Sequence, residues 1–215
     1  GMRPMNADAM ISQQSGVGLA IMTADCVPIV LYQPTTGQIA AIHAGWQGLA
    51  CGVIKTTAAR FDLSAPIVAW IGACISQQKY EVGIAVRDQL LNGCIKNALL
   101  SASDIDRFEQ LFCVPSDAEP VSSNGAATDT DALHETADNL SNTAKVDTSK
   151  IKLDLPKLAA YQLANMGIEV CALPQDCSYG EAHYYSYRRQ THLQQPATGR
   201  MALVIVRSDA NASII

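Results

Sequence analysis

The stretch PIVLYQPTTGQIAAIHAGWQGLACGVIKTTAARF, residues 28–61, decides the fold. Its first half holds two apolar, β-branched-rich runs, Pro28–Tyr32 and Gln38–His43. Between them lies Pro34-Thr-Thr-Gly37, whose proline and glycine are turn formers, so an antiparallel hairpin is expected. The second half changes period. Leu49, Val53, Thr57 and Phe61 recur every fourth residue, with Lys55 and Arg60 off that stripe. This predicts an amphipathic helix over 49–61, with its N-terminus at Gly48–Leu49.

Working outward, Val17–Met22 and Ile67–Ile71 read as further buried strands, the second ending at Gly72. Val82–Leu100 reads as a helix interrupted by Gly93. Ile151–Leu153 is strand-like, Asp154 is a good N-cap with Pro156 in the first turn behind it, and Gly167 follows the last periodic residue. Val170–Leu173 and Met201–Val206 complete the strands. Strands outnumber helices and the two are interleaved without repeats, which gives an α/β or α+β class.

The 215 residues favour one domain with a sizeable core. Hydrophobic residues make up 48% and charged residues 16%, an ordinary soluble globular composition. The net charge of −5 is concentrated: between Pro115 and Lys150 seven acids face Lys145 and Lys150, and the rest of the chain is neutral. That Ser-, Thr- and Asp-rich segment reads as an acidic flexible insertion at about 115–150, with a short helix over Asp131–Leu140. The organisation expected is a single domain over 5–206 with that insertion, then a C-terminal tail at 207–215. No basic footprint suggests nucleic acid, no apolar run suggests a membrane span, and no leader pattern opens the chain. Seven scattered cysteines without a C-x-x-C form no disulfide framework and suit a reducing, cytoplasmic setting. Oligomeric state is left open.

Three clusters could carry chemistry. Cys26, in Thr23-Ala-Asp-Cys-Val-Pro28, lies in a loop between two strands; a thiolate is a nucleophile and a soft metal ligand, while a free cysteine often simply packs. His43 ends the second hairpin strand, and the turn lies midway between it and Cys26, so antiparallel pairing brings the two to one end of the ribbon. Gly45 and Gly48 would let backbone N–H groups approach a small ligand. A Cys/His pair there suits a Zn²⁺ site or a Cys–His nucleophile, against a packed histidine as the structural alternative. The third cluster is Cys177–Arg189 with Ala197-Thr-Gly-Arg-Met201. Tyr179 and its fellow tyrosines offer stacking faces, and Arg188, Arg189 and Arg200 offer anion contacts, against a tyrosine-rich strand with solvated arginines.

Together these blocks resemble the YfiH-like family, the laccase-domain or multicopper polyphenol oxidase family associated with purine nucleoside phosphorylase activity and with editing of peptidoglycan precursors. The matching segments are Asn6-Ala-Asp-Ala-Met, Thr23–Pro28, His43-Ala-Gly-Trp-Gln-Gly48, Trp70-Ile-Gly72 with Tyr80-Glu-Val-Gly83, Leu153-Asp-Leu155, Ser186-Tyr-Arg-Arg189 and Thr198-Gly-Arg-Met-Ala202. The resemblance implies a layered α/β sandwich with mixed sheets and a zinc bound by two histidines and a cysteine. Cys26 and His43 match two of these ligands and would also be the catalytic pair. The third family histidine lies upstream of the Ala-Asp-Ala block, where residues 1–6 hold none. Either the chain starts late, or His183 or His192 substitutes. Gln47 stands where the family's Trp-Arg-Gly has arginine, and Gln190 where aspartate is usual.

The expected activity is zinc-linked phosphorolysis of purine nucleosides. Phosphate and adenosine or inosine are the substrates, adenosine deamination is a side reaction, and Gln47, Tyr179, Arg188, Arg189 and Arg200 bind substrate or phosphate. The alternatives are a Cys26–His43 hydrolase acting on a small amide, with Asp25 or another acid as orienter, and a truncated domain with an incomplete metal site. Four histidines, including His134 in the insertion, are too few for a multicopper centre.

Overall fold

Strands β3 (Val27–Gln33) and β4 (Gln38–Ala44) pair antiparallel in the register the hairpin requires, from Gln33 opposite Gln38 to Pro28 opposite His43 and Val27 opposite Ala44. The computed structural model describes residues 7–116 and 150–208. The helix foreseen over 131–140, His134 and Asn6 lie outside those residues.

Both faces of this hairpin are buried, which is why its strands read as continuous apolar runs rather than as an alternation. Ile29, Leu31, Ala40 and Ile42 point to one side and Val30, Ile39 and Ala41 to the other. The hairpin is the centre of a five-stranded sheet. It is extended by β1 (Ala9–Ser12), antiparallel to β4, and by β5 (Val68–Ile71), antiparallel to β3; beyond β5 lies β9 (Glu169–Ala172), parallel to it. On one face lie α1 (Trp46–Cys51), α2 (Val53–Ala58) and α6 (Leu155–Ala164), whose Leu49, Ile54, Leu158 and Leu163 are fully buried against the sheet, and α3 (Ile84–Lys96) packs on α1 with Leu90 buried in the same core. Each such side chain contributes about 1.5–3 kcal/mol relative to exposure. On the other face sits a two-stranded ribbon of β2 (Gly18–Thr23) and β10 (Met201–Val206), antiparallel, with Leu19, Ile21, Leu203 and Ile205 turned inward.

A third, smaller sheet joins β6 (Glu81–Gly83), β8 (Lys150–Leu153) and β7 (Cys113–Pro115), β8 being central. Pro115 pairs with Ile151, so the two described ends of the acidic segment meet in one ladder. The short helices α4 (Ala102–Ile105) and α5 (Phe108–Phe112) precede β7, and α7 (Tyr187–His192) lies in the tyrosine- and arginine-rich region. The chain is thus a layered, mixed α/β fold, as expected. No helix among the described residues is long and apolar enough to cross a membrane.

Several expectations are corrected. The helix after the hairpin begins at Trp46, not Gly48–Leu49, and is two helices broken at Gly52, whose φ of +77° is left-handed. Gly52 ends the first and starts the second, and its N–H caps the carbonyls of Gly48 and Leu49. The anticipated 82–100 helix is α3, preceded by β6. Gly93 does not interrupt it but lets it cross α1, since a Cβ there would lie 2.7 Å from Ala50 Cβ. The Asp154 cap is as read: its carboxylate accepts from the Lys157 N–H at 3.0 Å. Arg207, placed in the tail by sequence, is tied to the body, its carbonyl accepting from Gly16 N–H at 2.9 Å.

Candidate functional site

The register brings the Cys26 turn and His43 to the same end of the hairpin. Cys26 lies just beyond the Val27–Ala44 pair, and a Cβ added to Gly45 would stand 3.1 Å from its sulfur. This is where glycine is needed: a bare backbone next to the thiol opens α1.

His43 is half-buried, and its Nδ1 lies 3.2 Å from the Asp8 carboxylate, whose residue also accepts the His43 main-chain N–H at 2.7 Å. Asp8 therefore fixes the imidazole through Nδ1 and leaves Nε2 for chemistry. The acid that orients His43 is Asp8; Asp25, the sequence's candidate for that task, is turned elsewhere. Among the described residues no hydrogen bond joins Cys26 to His43. Burial and then the Asp25 carboxylate push the Cys26 thiol up, with Arg200 opposing and Asp8 adding to the rise. An activated nucleophile would show the reverse.

Asp25 adopts a left-handed φ of 88° and is buried. Its carboxylate accepts from the Ser178 hydroxyl at 2.7 Å and from the Arg188 N–H at 2.7 Å. The turn carrying Cys26 is thus joined to the start of α7, more than 150 residues later in the chain.

The two arginines differ. Arg188 donates from Nη1 to the Glu81 carbonyl at 2.6 Å and lies over the Tyr80 ring, 5.3 Å from its centre. Burial, with the nearby Cys26 adding to it, pushes the Tyr80 phenol up to about 12, so it is neutral. Arg189, expected as an anion clamp, instead holds its own loop. Its Nη1 donates to the carbonyls of Ser178 (3.1 Å), Tyr179 (2.8 Å) and Glu181 (3.0 Å), and Nη2 to that of Tyr184. Its position next to Arg188 made the pair look alike in sequence, and only the fold tells them apart. Arg200 is exposed and acts electrostatically on Cys26. Gln47 is exposed on the first turn of α1. Tyr179 bonds His192 Nδ1 at 3.1 Å and has Lys79 above its ring at 5.6 Å.

The donor set can be tested against a zinc ion. Cys26 and His43 are suitable donors, but among the described residues no group of three histidines, cysteines or acids comes together to hold a metal. His192 is occupied with Tyr179, and His183 is exposed against Tyr184, ring centres 4.2 Å apart. Neither substitutes for the third ligand. The described residues do not complete a tetrahedral zinc site.

Residues that sequence reasoning missed are Asp8, Ser178, Tyr80 and Glu81. All four stood inside the quoted stretches, but only the fold shows what they face.

A chain with this layered fold and this corner matches the family described as multi-copper polyphenol oxidoreductase laccase over residues 2–111 and 120–208, and it belongs to that family. It is 30% identical over 201 residues to the purine nucleoside phosphorylase YfiH of Escherichia coli and, at the same level, to that of Shigella flexneri; the match covers 93% of this chain and 63% of each relative. It also resembles the crystal structure of a Neisseria meningitidis protein, at 27% identity and a TM-score of 0.64, over 95% of this chain and 66% of that one. The chain therefore spans a little under two thirds of the length of these relatives.

Proposed function

We propose that this protein is a purine nucleoside phosphorylase, with phosphate and a purine nucleoside as its substrates. The observation that carries the reading is the meeting of two parts of the chain: Arg188 and Arg200 from the last quarter stand beside the Cys26–His43 corner of the central hairpin. Two guanidinium groups suit a phosphate, since their donors match its oxygens and their charge offsets its own. The relatives' name supplies the purine nucleoside.

In this reading Arg188 and Arg200 hold phosphate so that one of its oxygens attacks C1′ of the ribose. The new C1′–O bond forms as the C1′–N bond to the base breaks, and the electron pair leaves with the purine. His43, oriented by Asp8, exchanges a proton at the base or the ribose from Nε2. Tyr80 keeps Arg188 in place and presents an uncharged phenol. Gln47, on the exposed first turn of α1, faces solvent at the rim, while Tyr179 and Arg189 shape the loop behind Arg188. Adenosine and inosine are the substrates to try first.

The test is chromatographic. The chain is incubated with adenosine or inosine, with and without phosphate, with added zinc or a chelator. Free base and ribose 1-phosphate that appear only with phosphate support the reading. Base release independent of phosphate, or none under any condition, overturns it. Inosine formed from adenosine reports the deaminating side reaction.

A further inference from the structure

Asp25 is a buried acid in a costly conformation. It is 8% exposed, its φ of 88° lies where side chains are disfavoured, and among the described residues no lysine or arginine forms an ion pair with it. A non-glycine residue persists in such a backbone only where its surroundings over-determine it. Here three segments do so. The Asp25 carbonyl accepts the Ile75 N–H at 3.0 Å, one carboxylate oxygen accepts the fully buried Ser178 hydroxyl, and the other accepts the Arg188 N–H, both at 2.7 Å.

The consequence lies in Arg188, which is held at two points. Its main chain is fastened to Asp25 at 2.7 Å, while its guanidinium is fastened to the Glu81 carbonyl at 2.6 Å above Tyr80. Releasing the main-chain point lets the first turn of α7 drift, and the guanidinium drifts with it. We infer that Asp25, with Ser178, is a positioning residue for the anion site: its carboxylate, held by the Ser178 hydroxyl through one oxygen, ties the Arg188 main chain to the Cys26 turn through the other and so sets the affinity for phosphate. This rests on the phosphorolysis reading for the identity of the anion. The clamp works through hydrogen bonding rather than through charge. Asparagine tolerates the left-handed backbone, accepts the Arg188 N–H through its oxygen, and donates its amide to the Ser178 oxygen, so it preserves the clamp.

The experiment titrates the full chain with inorganic phosphate by calorimetry, alongside phosphate-dependent base release. In Asp25→Ala the phosphate affinity falls by about tenfold or more, because small displacements of a binding group are costly. The KM for phosphate rises in step, while the KM for nucleoside stays within about twofold. Asp25→Asn retains affinity within about threefold, and Ser178→Ala lies between. Should Asp25→Ala fail to fold, the other two variants still decide. Asparagine as damaging as alanine would point to the charge and overturn the inference. So would unchanged affinity in alanine, an equal rise in both KM values, or a wild-type chain that binds no phosphate. Wild-type phosphate binding with the expected variant order but no base release overturns phosphorolysis alone.

Discussion

Replacing Arg189 by alanine should unsettle the 178–184 loop, whereas replacing Arg188 by alanine should act on the anion site. Arg189 donates to four carbonyls from two nitrogens, three of them sharing Nη1 at 2.8–3.1 Å. One Nη1 carries two hydrogens, so these amount to about three full bonds rather than four. Hydrogen bonds to charged donors contribute about 1.5–3 kcal/mol each when buried. This loop is partly exposed, and freed carbonyls take up water, which brings the figure to about 1 kcal/mol per bond. The expected loss is therefore about 2–3 kcal/mol, a fall in Tm of roughly 4–12 °C for a domain of this size. Thermal melts by circular dichroism, with limited proteolysis mapped by mass spectrometry, read the effect: cleavage should rise within 178–185. Arg188→Ala, by contrast, should weaken phosphate binding with a smaller shift in Tm. An Arg189→Ala protein that melts like the wild type yet loses phosphate binding would refute the reasoning and return Arg189 to the anion site.

Gly45→Ala tests the close approach at the thiol. The backbone tolerates alanine at φ −73°, but the new Cβ, 3.1 Å from the Cys26 sulfur, forces that sulfur to move by a few tenths of an ångström. Because the sulfur carries no step of the proposed reaction, turnover should stay within about threefold with Tm changed by less than about 2 °C; a tenfold fall would give the thiol a part in the chemistry. Cysteine alkylation tests a pH dependence. Burial works against the Cys177 thiolate, yet donors from Ser76, Gly180 and Tyr179 outweigh it and lower its pKa, whereas burial pushes Cys94 up to about 11. Because the folded pKa of Cys177 lies below the ordinary value, its thiolate adds stability above that ordinary value, and this is lost as pH falls through the lowered one. Peptide-resolved labelling carried from about pH 8.5 down to about pH 7 should leave half-buried Cys177 reactive and Cys94 inert. Loss of Cys177 labelling already at about pH 8 would contradict it.

The central hairpin was legible because three local signals agreed: two apolar runs, a Pro/Gly turn midway, and a switch of period directly after it. Such agreement places Cys26 and His43 at one end without any tertiary information. The errors arose where one residue type serves two purposes. Gly52 and Gly93 both stand inside apolar-periodic segments, and glycine marks either a left-handed break or a close crossing. The first is a matter of φ, +77°, and the second of a neighbour 2.7 Å away on another helix. A period count contains neither quantity.

The site divides along the same line. What a motif supplies is a set of residue types at given positions in the chain. What it does not supply is which donor each acceptor chooses. Asp8 and Asp25 are both acids within quoted motifs, and the one adjacent to Cys26 looked the better orienter for His43. The fold reverses the choice, because β1 runs antiparallel to β4 with Ala9 opposite Ile42, which sets Asp8 beside His43. Asp25, meanwhile, is carried by a left-handed turn toward α7. The same holds for Arg188 and Arg189, adjacent in sequence but facing different partners. The partners of Arg188 are 107 and 163 residues away, whereas those of Arg189 lie within 5 to 11 residues, and adjacency in sequence does not tell the two cases apart. A hydrogen-bonded corner of this kind is therefore better probed by substitutions that preserve shape and change one donor than by deletion of whole motifs.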